Sequence, residues 1–353
     1  MAKALIAMSG GVDSSVTAYI MKEKGYECIG VTFIMFDKTD DVFGFDANAI
    51  NNDVNDAKAV CDKIGIPFVV EDVSAQFRKH VIDNFIKTYE KGGTPNPCVE
   101  CNKHIKFELL NAVAEKYGCD TIVTGHYAKM DSENGRYYIK KADDLKKDQS
   151  YFLYSLSQEQ LKKVQFPLSE ITKESAREIA ENNGFINARK KDSQDVCFIS
   201  NGDYSSFIRR ATGKQYPHGK FIDNDGNVVG KHNGMINYTI GQRKGLGLAM
   251  GTPVYVKHKD IKSNTITVSD NDGLFQSEIY IEDFNFMALE NLSDKTKCTV
   301  KIRFNHIGAA ATAEQIDENT IKIVFDSPQR APAKGQSAVL YDNDIILGGG
   351  IIK

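Results

Sequence analysis

A glycine- and serine-rich stretch near the N-terminus has the composition of a phosphate-binding turn. Residues 7–15, AMSGGVDSS, follow a short apolar run and precede an amphipathic segment, which predicts a strand, a tight turn and a helix start. Gly10 and Gly11 carry no Cβ, so their backbone amides can turn inward against an anion. Ser9 and Ser14 add hydroxyl donors, and the helix N-terminus adds partial positive charge. This chemistry suits the phosphates of a nucleotide.

The same stretch lacks the features of two common nucleotide-binding motifs, since it has neither the lysine of GxxxxGK[ST] nor the spacing of GxGxxG. It resembles the SGGxDS signature of the PP-loop ATP pyrophosphatases, which cleave ATP between the α and β phosphates to adenylate a carbonyl oxygen. The resemblance implies ATP with Mg²⁺ and makes Asp13 a catalytic organiser of the metal or the loop. The implied ATP site consists of Ala7, Met8, Ser9, Gly10, Gly11, Val12, Asp13, Ser14, Phe33 and Gly125. The alternative is a strand-to-helix turn that merely contains these residue types.

Two cysteines follow a loop rich in glycine and proline. In residues 92–107, GGTPNPCVECNKHIKF, the loop is expected to give way to a helix that begins at Cys101 or Asn102. A thiol at a helix N-terminus beside Lys103 and Lys106 should have a lowered pKa and substantial thiolate character. Cys101 is therefore a candidate nucleophile.

A third cysteine, Cys197, has cationic neighbours in sequence. It lies in a strand-like run at 195–199, shortly after Arg189, Lys190 and Lys191, which could stabilise a thiolate or persulfide, or bind RNA phosphate. Taken alone, a cysteine in this setting is more often an inert buried thiol.

Metal binding is the alternative for these cysteines. Cys98 and Cys101 form a CxxC pair, but a structural zinc site needs four ligands, and no second CxxC or close CxxH pair appears in the sequence. An iron–sulfur cluster on Cys98, Cys101 and one remote cysteine such as Cys197 stays open. No metal bound by protein ligands is assured.

The elements that must position these residues follow from hydrophobic periodicity. Short apolar strands alternate with helical segments, which predicts a doubly wound α/β fold whose parallel sheet binds ligands at the carboxyl ends of its strands. Strands are predicted at 4–8, 28–33, 67–70 and 121–124, and helices at 15–24, 52–64, 76–90 and 103–117. Phe33 ends the second strand, where it would face an adenine; Met35 is the alternative contact, and a plain buried residue the other interpretation.

The second half of the chain lacks the alternation of strands and helices. Turns rich in glycine and asparagine and strands at 254–257 and 265–269 predict a small mixed central domain, and regular short strands from 278 onward predict a closed β-barrel. The predicted domains are 1–202, 203–277 and 278–353. The barrel is expected either to contact RNA or to act as a stability module.

The amino-acid composition and charge limit which classes of protein this chain can belong to. The chain has 353 residues, 41% hydrophobic and 26% charged, which is ordinary for a globular protein. The absence of a membrane-length apolar run and of a signal-peptide pattern predicts a cytoplasmic protein without a membrane partner. A net charge of −3 argues against a general nucleic-acid coat, although a local basic face could still bind RNA. Seven cysteines without disulfide spacing are expected to be reduced.

Taken together, the motifs resemble a known family. SGGVDS, PNPCVECNKHIKF, TGHYAK, KDQSYFL, KKDSQDVCFI, INYTIGQRKGLGL and SPQRAPAKGQSAVLY, in this order, closely resemble the bacterial tRNA 2-thiouridylases, within the PP-loop ATP pyrophosphatase superfamily. The resemblance covers essentially the whole chain. Two positions depart from it: Phe33 replaces the usual methionine, and Cys98 occupies a position where some relatives carry aspartate.

The resemblance implies an ATP-dependent tRNA sulfurtransferase. Such an enzyme adenylates the C2 oxygen of the wobble uridine and replaces it with sulfur from a protein persulfide, giving 2-thiouridine. Cys197 would carry the persulfide, and Cys101 would either attack it or serve as acid and base, so the loops bearing both must approach each other. The implied partners are the anticodon region of tRNA and a cysteine desulfurase or sulfur-relay protein as donor.

The resemblance also implies contacts with tRNA or its target base. These residues are Asn96, Pro97, Cys98, His126, Lys147, Asp148, Gln149, Arg303, Phe304 and Gln336. Loop packing is the simpler interpretation of each. Two other functions remain open: a thiolase with an Fe–S cluster on Cys98, Cys101 and Cys197, and a PP-loop ligase acting on a small carboxylate.

Overall fold

A parallel sheet organises the N-terminal part of the chain. The computed structural model describes residues 2–45, 53–191, 195–292 and 295–353. Strands in this part are β1 (Lys3–Ala7), β2 (Glu27–Ile34), β3 (Phe68–Asp72), β4 (Thr121–Val123), β5 (Ala128–Glu133), β6 (Arg136–Lys141) and β7 (Val164–Gln165). The sheet has the order β3-β2-β1-β4-β7 with parallel pairing throughout. The central residues of β1 are buried, as expected for an apolar strand covered on both faces. The predicted strands and the α/β fold are confirmed.

Helices cover this sheet. They are α1 (Val12–Glu23), α2 (Asp53–Ile64), α3 (Ser74–Phe77), α4 (Asp83–Glu90), α5 (Pro97–Glu100), α6 (Glu108–Tyr117), α7 (Gln158–Lys162) and α8 (Lys173–Asn182), followed by α9 (Tyr204–Thr212). π-helical turns at Arg78–Ile82 and Cys101–Phe107 join α3 to α4 and α5 to α6. Short 3₁₀ turns lie at Ser150–Leu153, Ser200–Gly202, Met235–Asn237 and Asp272–Leu274.

Helix starts differ most from the sequence predictions. The helix predicted from residue 103 begins at Pro97, because proline fits the first helical turn, where a backbone N–H has no intrahelical partner. The first helix begins at Val12 rather than at residue 15. The start predicted at residue 52, and residues 46–52 of the acidic insertion after β2, lie outside the described residues.

The central part of the chain contains a small mixed sheet. Its strands are β8 (Gly219–Ile222), β9 (Val228–His232), β10 (Tyr255–Asp260) and β11 (Thr265–Ser269). They have the order β10-β11-β8-β9, with β11 and β8 parallel and the other pairs antiparallel. Phe221 and Val256 of these strands share a small apolar core with Tyr238, which follows the 3₁₀ turn at Met235–Asn237.

The C-terminal strands close into an antiparallel barrel. They are β12 (Phe275–Phe286), β13 (Thr296–Lys301), β14 (Ala309–Gln315), β15 (Ile321–Arg330), β16 (Ser337–Asp342) and β17 (Ile345–Ile352). The order is β12-β15-β14-β13-β16-β17, and pairing of β12 with β17 closes the ring. The predicted barrel is confirmed. Because β12 begins at Phe275, it spans the predicted domain boundary at 277, and the domain bounds themselves stay a prediction.

The barrel is joined to the N-terminal part by shared strands and hydrogen bonds. The hairpin β5–β6 extends the barrel sheet through pairing of Lys140 with Ile345. Asn285 Nδ2 donates to the carbonyls of Tyr154 and Leu156 at 2.7 and 3.0 Å. No helix in the described ranges combines the length and apolar character needed to cross a membrane.

Candidate active site

The turn between β1 and α1 exposes the N-terminus of a helix. Gly11 takes the N-cap position in an extended conformation, with φ −95° and ψ 166°, and has no side chain to cap the helix. The hydroxyls of Ser14 and Ser15 each donate to the Gly11 carbonyl at 3.0 Å. The Ser9 amide donates to Ser14 Oγ at 3.1 Å. The loop is thus shaped by its own side chains, and its glycine cap leaves the first amides of α1 uncovered, as phosphate binding requires.

The remaining predicted ATP-site residues of this region surround the turn. Ala7 ends β1, while Met8 and Val12 are buried beneath the loop. Phe33 and Met35 are both partly buried at the end of β2 and pack against the same apolar cluster. The structure therefore leaves both side chains as possible adenine contacts.

Gly10 lets the loop approach a neighbouring segment closely. Its φ is +71°, and a Cβ here would lie 2.4 Å from the Asp53 carbonyl oxygen. The Gly10 carbonyl accepts hydrogen bonds from Asn187 Nδ2 at 3.0 Å and from Lys190 Nζ at 3.2 Å. Lys190 also forms ion pairs with Asp53 at 2.8 Å and Asp56 at 2.7 Å. From the sequence, Lys190 was a candidate to bind RNA phosphate or to stabilise a thiolate. In the structure it holds the glycine-rich loop through the Gly10 carbonyl.

Asp13 lies in the first turn of α1 and is held by side chains from two other segments. Lys173 Nζ lies 2.7 and 2.8 Å from its two carboxylate oxygens, and the Tyr127 hydroxyl donates to Oδ1 at 2.9 Å. A Cβ on Gly125 would lie 3.0 Å from the Ser14 nitrogen, so this glycine permits close packing on the loop. Asp13 was expected to organise either the metal or the loop, and this geometry favours a role in organising the loop.

Sequence reasoning missed Lys173 and Asn187. Helical periodicity marks α8 only as a scaffold helix, and a lone lysine at its first position matches no nucleotide-binding motif. Asn187 lies in an irregular segment without any motif. Their contacts with the loop depend on chain packing between distant segments, for which the sequence holds no local signal.

His126 is packed as a neutral residue next to the loop. It is buried, its Nδ1 lies 2.8 Å from Thr124 Oγ1, and its ring stacks on Phe107 with 5.8 Å between centroids. Burial lowers the pKa of His126 well below its ordinary value, and the Lys106 charge acts in the same direction. His126 therefore carries no charge near neutral pH.

Cys98 and Cys101 lie in the helix that starts at Pro97. Cys98 is exposed, whereas Cys101 is buried among apolar side chains such as Ile105. The predicted thiolate character of Cys101 is wrong for this structure, because burial raises the pKa of Cys101 to about 11 against the lowering effect of Lys106. The helix starts before Cys98, so Cys101 lies a turn inside it rather than at the favourable N-terminus.

Cys197 lies in a turn rather than in the predicted strand, and residues 192–194 of its loop are outside the described residues. Its neighbours Phe198 and Ile199 share an apolar cluster with Cys101. The Cys197 side chain is exposed on one side, yet desolvation by the protein around it raises its pKa to about 12, and Cys101 and Cys98 add to that rise. Two cysteines distant in sequence are thus brought into one neighbourhood.

Lys106 is the cation common to this neighbourhood. It lowers the pKa of Cys98, Cys101 and Cys197 against the larger effect of desolvation, and it acts on His126 as well. Its ammonium group therefore favours an anionic sulfur at any of the three thiols. His126, which also senses the Lys106 charge, follows Gly125, and Gly125 packs closely on the glycine-rich loop.

Replacing Lys106 with methionine should slow alkylation of the site cysteines. Loss of the cation raises the thiol pKa values further, so the thiolate fraction near pH 8 should fall about three- to tenfold. Iodoacetamide rates at each cysteine, resolved by mass spectrometry from pH 7 to 10, test this; rates should rise with pH because thiolate accumulates towards the raised pKa. Lys103→Met, an exposed change on the same helix, is the control. Equal rates in Lys106→Met and wild type would contradict the assignment.

The barrel holds the loop that precedes Cys98. Gln336 Nε2 donates to the carbonyls of Thr94 and Pro95 at 3.1 and 3.0 Å, and the Thr94 amide donates to the Lys334 carbonyl at 2.7 Å. Pro97 is buried at the start of the helix. Gln336, expected to contact tRNA, here fixes the cysteine-bearing loop.

Replacing Gln336 with alanine should loosen that loop. Two partly buried carbonyls would lose their donor, at a cost of about 1–3 kcal/mol in unfolding free energy. Denaturant unfolding and faster amide hydrogen exchange across residues 92–96, both without tRNA, test this. Gln276→Ala, at an exposed barrel position, should change neither. Unchanged exchange in Gln336→Ala would show that these hydrogen bonds do not restrain the loop.

Lys147, Asp148 and Gln149 precede the 3₁₀ turn at Ser150–Leu153. Asp148 is buried and accepts from the Ser150 amide and hydroxyl at 3.2 and 2.9 Å, and its burial raises its pKa. Gln149 Oε1 accepts from the Tyr127 amide at 3.1 Å. Asp148 therefore organises the turn at Ser150, Gln149 binds the backbone of Tyr127, and Lys147 and Gln149 are both partly exposed.

Asn96, Arg303 and Phe304 surround the aromatic side chains of the same turn. The Asn96 side chain hydrogen-bonds to the Tyr151 hydroxyl. The Phe304 residue is 37% exposed, and its ring centroid lies 4.4 Å from that of Phe152. Arg303 Nη1 donates a hydrogen bond to the Arg330 carbonyl of the barrel. The cation beside this ring is Lys301, whose Nζ lies 5.7 Å from the Phe304 ring centroid, and an exposed aromatic ring beside a cation is typical of RNA-contacting surfaces.

The cysteines are not arranged as a metal site. Within the described ranges, no group of three or more His, Cys, Asp or Glu side chains could hold a metal ion. The alternative of an iron–sulfur cluster on Cys98, Cys101 and Cys197 therefore has no support from side-chain geometry.

Family models match almost the entire chain. Residues 2–201 match the tRNA methyl transferase HUP domain, residues 205–270 the tRNA methyl transferase PRC-barrel domain, and residues 276–352 the Aminomethyltransferase beta-barrel domain. Among solved structures, a 4-thiouridine synthetase–RNA complex with bound ATP is 20% identical, with a TM-score of 0.35, over 56% of this chain and 44% of that chain.

Curated relatives match at much higher identity. The tRNA-specific 2-thiouridylase MnmA of Clostridioides difficile (strain 630) is 46% identical over 99% of this chain and 98% of its own length. The protein of the same name from Clostridium acetobutylicum is 44% identical over 99% of each chain. The resemblance inferred from the motifs is confirmed: the chain belongs to the tRNA-specific 2-thiouridylase family.

Proposed function

We propose that this protein is a tRNA-specific 2-thiouridylase, which uses ATP to activate the C2 oxygen of the wobble uridine and replaces that oxygen with sulfur from a protein persulfide. One observation carries the proposal beyond family membership. Cys101 lies in an apolar cluster with Phe198 and Ile199, the two residues that follow Cys197, and Cys101 contributes to the raised pKa of Cys197, although the two cysteines are far apart in sequence. A PP-loop ligase acting on a small carboxylate would have no use for this pair.

The glycine-rich loop fits the phosphates of ATP. Its helix N-terminus is capped only by a glycine, and added Cβ atoms at Gly10 or Gly125 would collide with backbone, so the turn is built for close approach. Uracil oxygen is a poor leaving group, and ATP, when bound with Mg²⁺, supplies the adenylate that makes it part of a phosphate ester. The loop amides of this chain would hold the departing pyrophosphate. Asp13 keeps those amides in place through Lys173 and Tyr127.

Sulfur transfer follows from the two thiols. Because Cys197 is exposed, a cysteine desulfurase or relay protein could reach it and leave a sulfane sulfur on its Sγ. In one route, deprotonated Cys101 attacks the inner sulfur of this persulfide, a Cys101–Cys197 disulfide forms, and hydrosulfide leaves to attack C2 and displace AMP. In the other route, the terminal sulfur attacks C2 itself, displacing AMP, while Cys101 accepts or returns the proton.

The first route leaves a Cys101–Cys197 disulfide, whereas the second leaves the uridine joined to Cys197 through an S–S bond whose cleavage releases 2-thiouridine; in both, a thiol reductant cleaves the bond and restores the free thiols. The raised pKa of Cys101 bears on the first route, because the thiol must lose its proton before it can attack. Lys106 is the group placed to assist that loss. Substrate binding that brings further positive charge to the sulfur would act in the same direction.

The deciding experiment measures the product. Unmodified tRNA is incubated with the protein, ATP, Mg²⁺, a cysteine desulfurase with cysteine, and a thiol reductant, and its nucleosides are then analysed by mass spectrometry. We expect 2-thiouridine at the wobble position, dependent on ATP. Omitting ATP is the matched control. A protein that binds ATP under these conditions yet forms no 2-thiouridine would contradict the proposed function.

A further inference from the structure

The carboxylate of Asp13 creates an electrostatic conflict in the glycine-rich loop. Asp13 occupies the first turn of α1, whose uncovered amides are the expected site for pyrophosphate. A carboxylate there stabilises the helix through its macrodipole. The same carboxylate repels an anion bound at the helix N-terminus, because like charges a few ångströms apart interact strongly in a partly buried site.

Lys173 is placed to remove that conflict. Its Nζ contacts both carboxylate oxygens of Asp13, at 2.7 and 2.8 Å, and the Lys173 side chain is only 8% exposed. A lysine so deeply buried pays a large desolvation penalty unless it is paired with a charge, and here Asp13 is its partner. The pair is thus a fixed part of the site rather than a mobile surface contact.

The surrounding structure sets the position of Lys173. It is the first residue of α8, whose Thr172 cap accepts a hydrogen bond from the Ser175 amide, and its own amide donates to Asp144 Oδ2 at 3.1 Å. Side chains of α1 and α8 share one apolar cluster. The N-termini of two helices therefore meet at Asp13, which adds to the positive potential of the loop.

We propose that Lys173 is a positioning residue that neutralises Asp13, so that the glycine-rich loop can hold the phosphates of ATP. The inference rests on the proposed function only in taking ATP as the ligand of this loop. Lys173 acts through Asp13 and makes no bond to the phosphates. Its effect is on nucleotide affinity rather than on sulfur transfer.

Calorimetric titration of the full chain with ATP and with inorganic pyrophosphate tests the proposal. Lys173→Met leaves an uncompensated carboxylate, so both affinities should fall at least about tenfold. The double variant Asp13→Asn/Lys173→Met removes both charges and should recover affinities within about threefold of those of Asp13→Asn. Lys116→Met, which breaks a surface pair with Glu71 at 2.7 Å, is the matched control and should bind as wild type does.

Two outcomes would overturn the proposal. One is wild-type affinity in Lys173→Met. The other is a double variant that is folded yet binds at least about tenfold more weakly than Asp13→Asn, since Lys173 would then contact phosphate directly. The second comparison decides the question even if Lys173→Met alone does not fold. Wild-type protein that binds ATP but makes no 2-thiouridine would defeat the proposed function while leaving this inference standing.

Discussion

Replacing Cys101 or Cys197 with serine is expected to reduce 2-thiouridine formation by about a thousandfold or more, while ATP binding stays at the wild-type level. A serine hydroxyl can neither carry a sulfane sulfur nor attack one at neutral pH. Both cysteines lie outside the glycine-rich loop, so nucleotide affinity should not change. Single-turnover assays with nucleoside mass spectrometry, alongside calorimetric titration with ATP, measure the two effects separately.

Cys119→Ser is the control for these variants, because Cys119 is partly exposed and its charged neighbours are Lys3, Asp120 and Glu27 rather than the site cysteines. It should retain full activity. Intact-mass analysis after incubation with a cysteine desulfurase should show a persulfide at Cys197 in the Cys101→Ser variant. Full thiolation by Cys197→Ser with that donor would refute the role assigned to Cys197.

The second large effect is expected at Gly10. An alanine there would place its Cβ 2.4 Å from the Asp53 carbonyl oxygen, at a backbone φ of +71°, so the loop would have to move away from Asp53. The amides that face the phosphates would move with it. ATP affinity should fall by at least about a hundredfold, since several hydrogen bonds to a charged ligand are lost together.

Gly25→Ala is the control for Gly10→Ala, because it introduces backbone strain without a steric clash. Gly25 has a φ of +84°, but a Cβ there would meet no atom of the described residues within 4 Å. That variant should lose about 1 kcal/mol of stability and keep its ATP affinity. Equal ATP affinity in Gly10→Ala and Gly25→Ala would show that the close approach to Asp53 is not needed for nucleotide binding.

Hydrophobic periodicity was enough to predict the scaffold. The buried run in β1 and the amphipathic helices each reflect a local pattern, so the parallel sheet, the turn after β1 and the barrel strands could all be predicted. Helix starts were harder, because Pro97 is compatible both with an irregular loop and with a first helical turn. Because the helix begins at Pro97, Cys101 lies a turn inside it rather than at its N-terminus.

Contacts between distant segments could not be predicted. The raised pKa of Cys101 reflects burial in the cluster that contains Phe198 and Ile199, which no local pattern around Cys101 reveals. The neutralisation of Asp13 by Lys173 depends on how α8 packs against α1. Gln336 was assigned to tRNA by resemblance, and its bonds to Thr94 and Pro95 appear only in the folded chain.

The pairing of the hairpin β5–β6 with the barrel limits how domains can be exchanged between relatives. Lys140 of the hairpin pairs with Ile345 of the barrel, and Gln336 of the barrel holds the loop between α4 and the helix that carries Cys98, so the barrel is hydrogen-bonded to both segments. A chimera that takes its barrel from a relative would therefore have to import the hairpin and the cysteine loop with it. The barrel, the hairpin and the loop before Cys98 would have to be exchanged together, although they are far apart in the sequence.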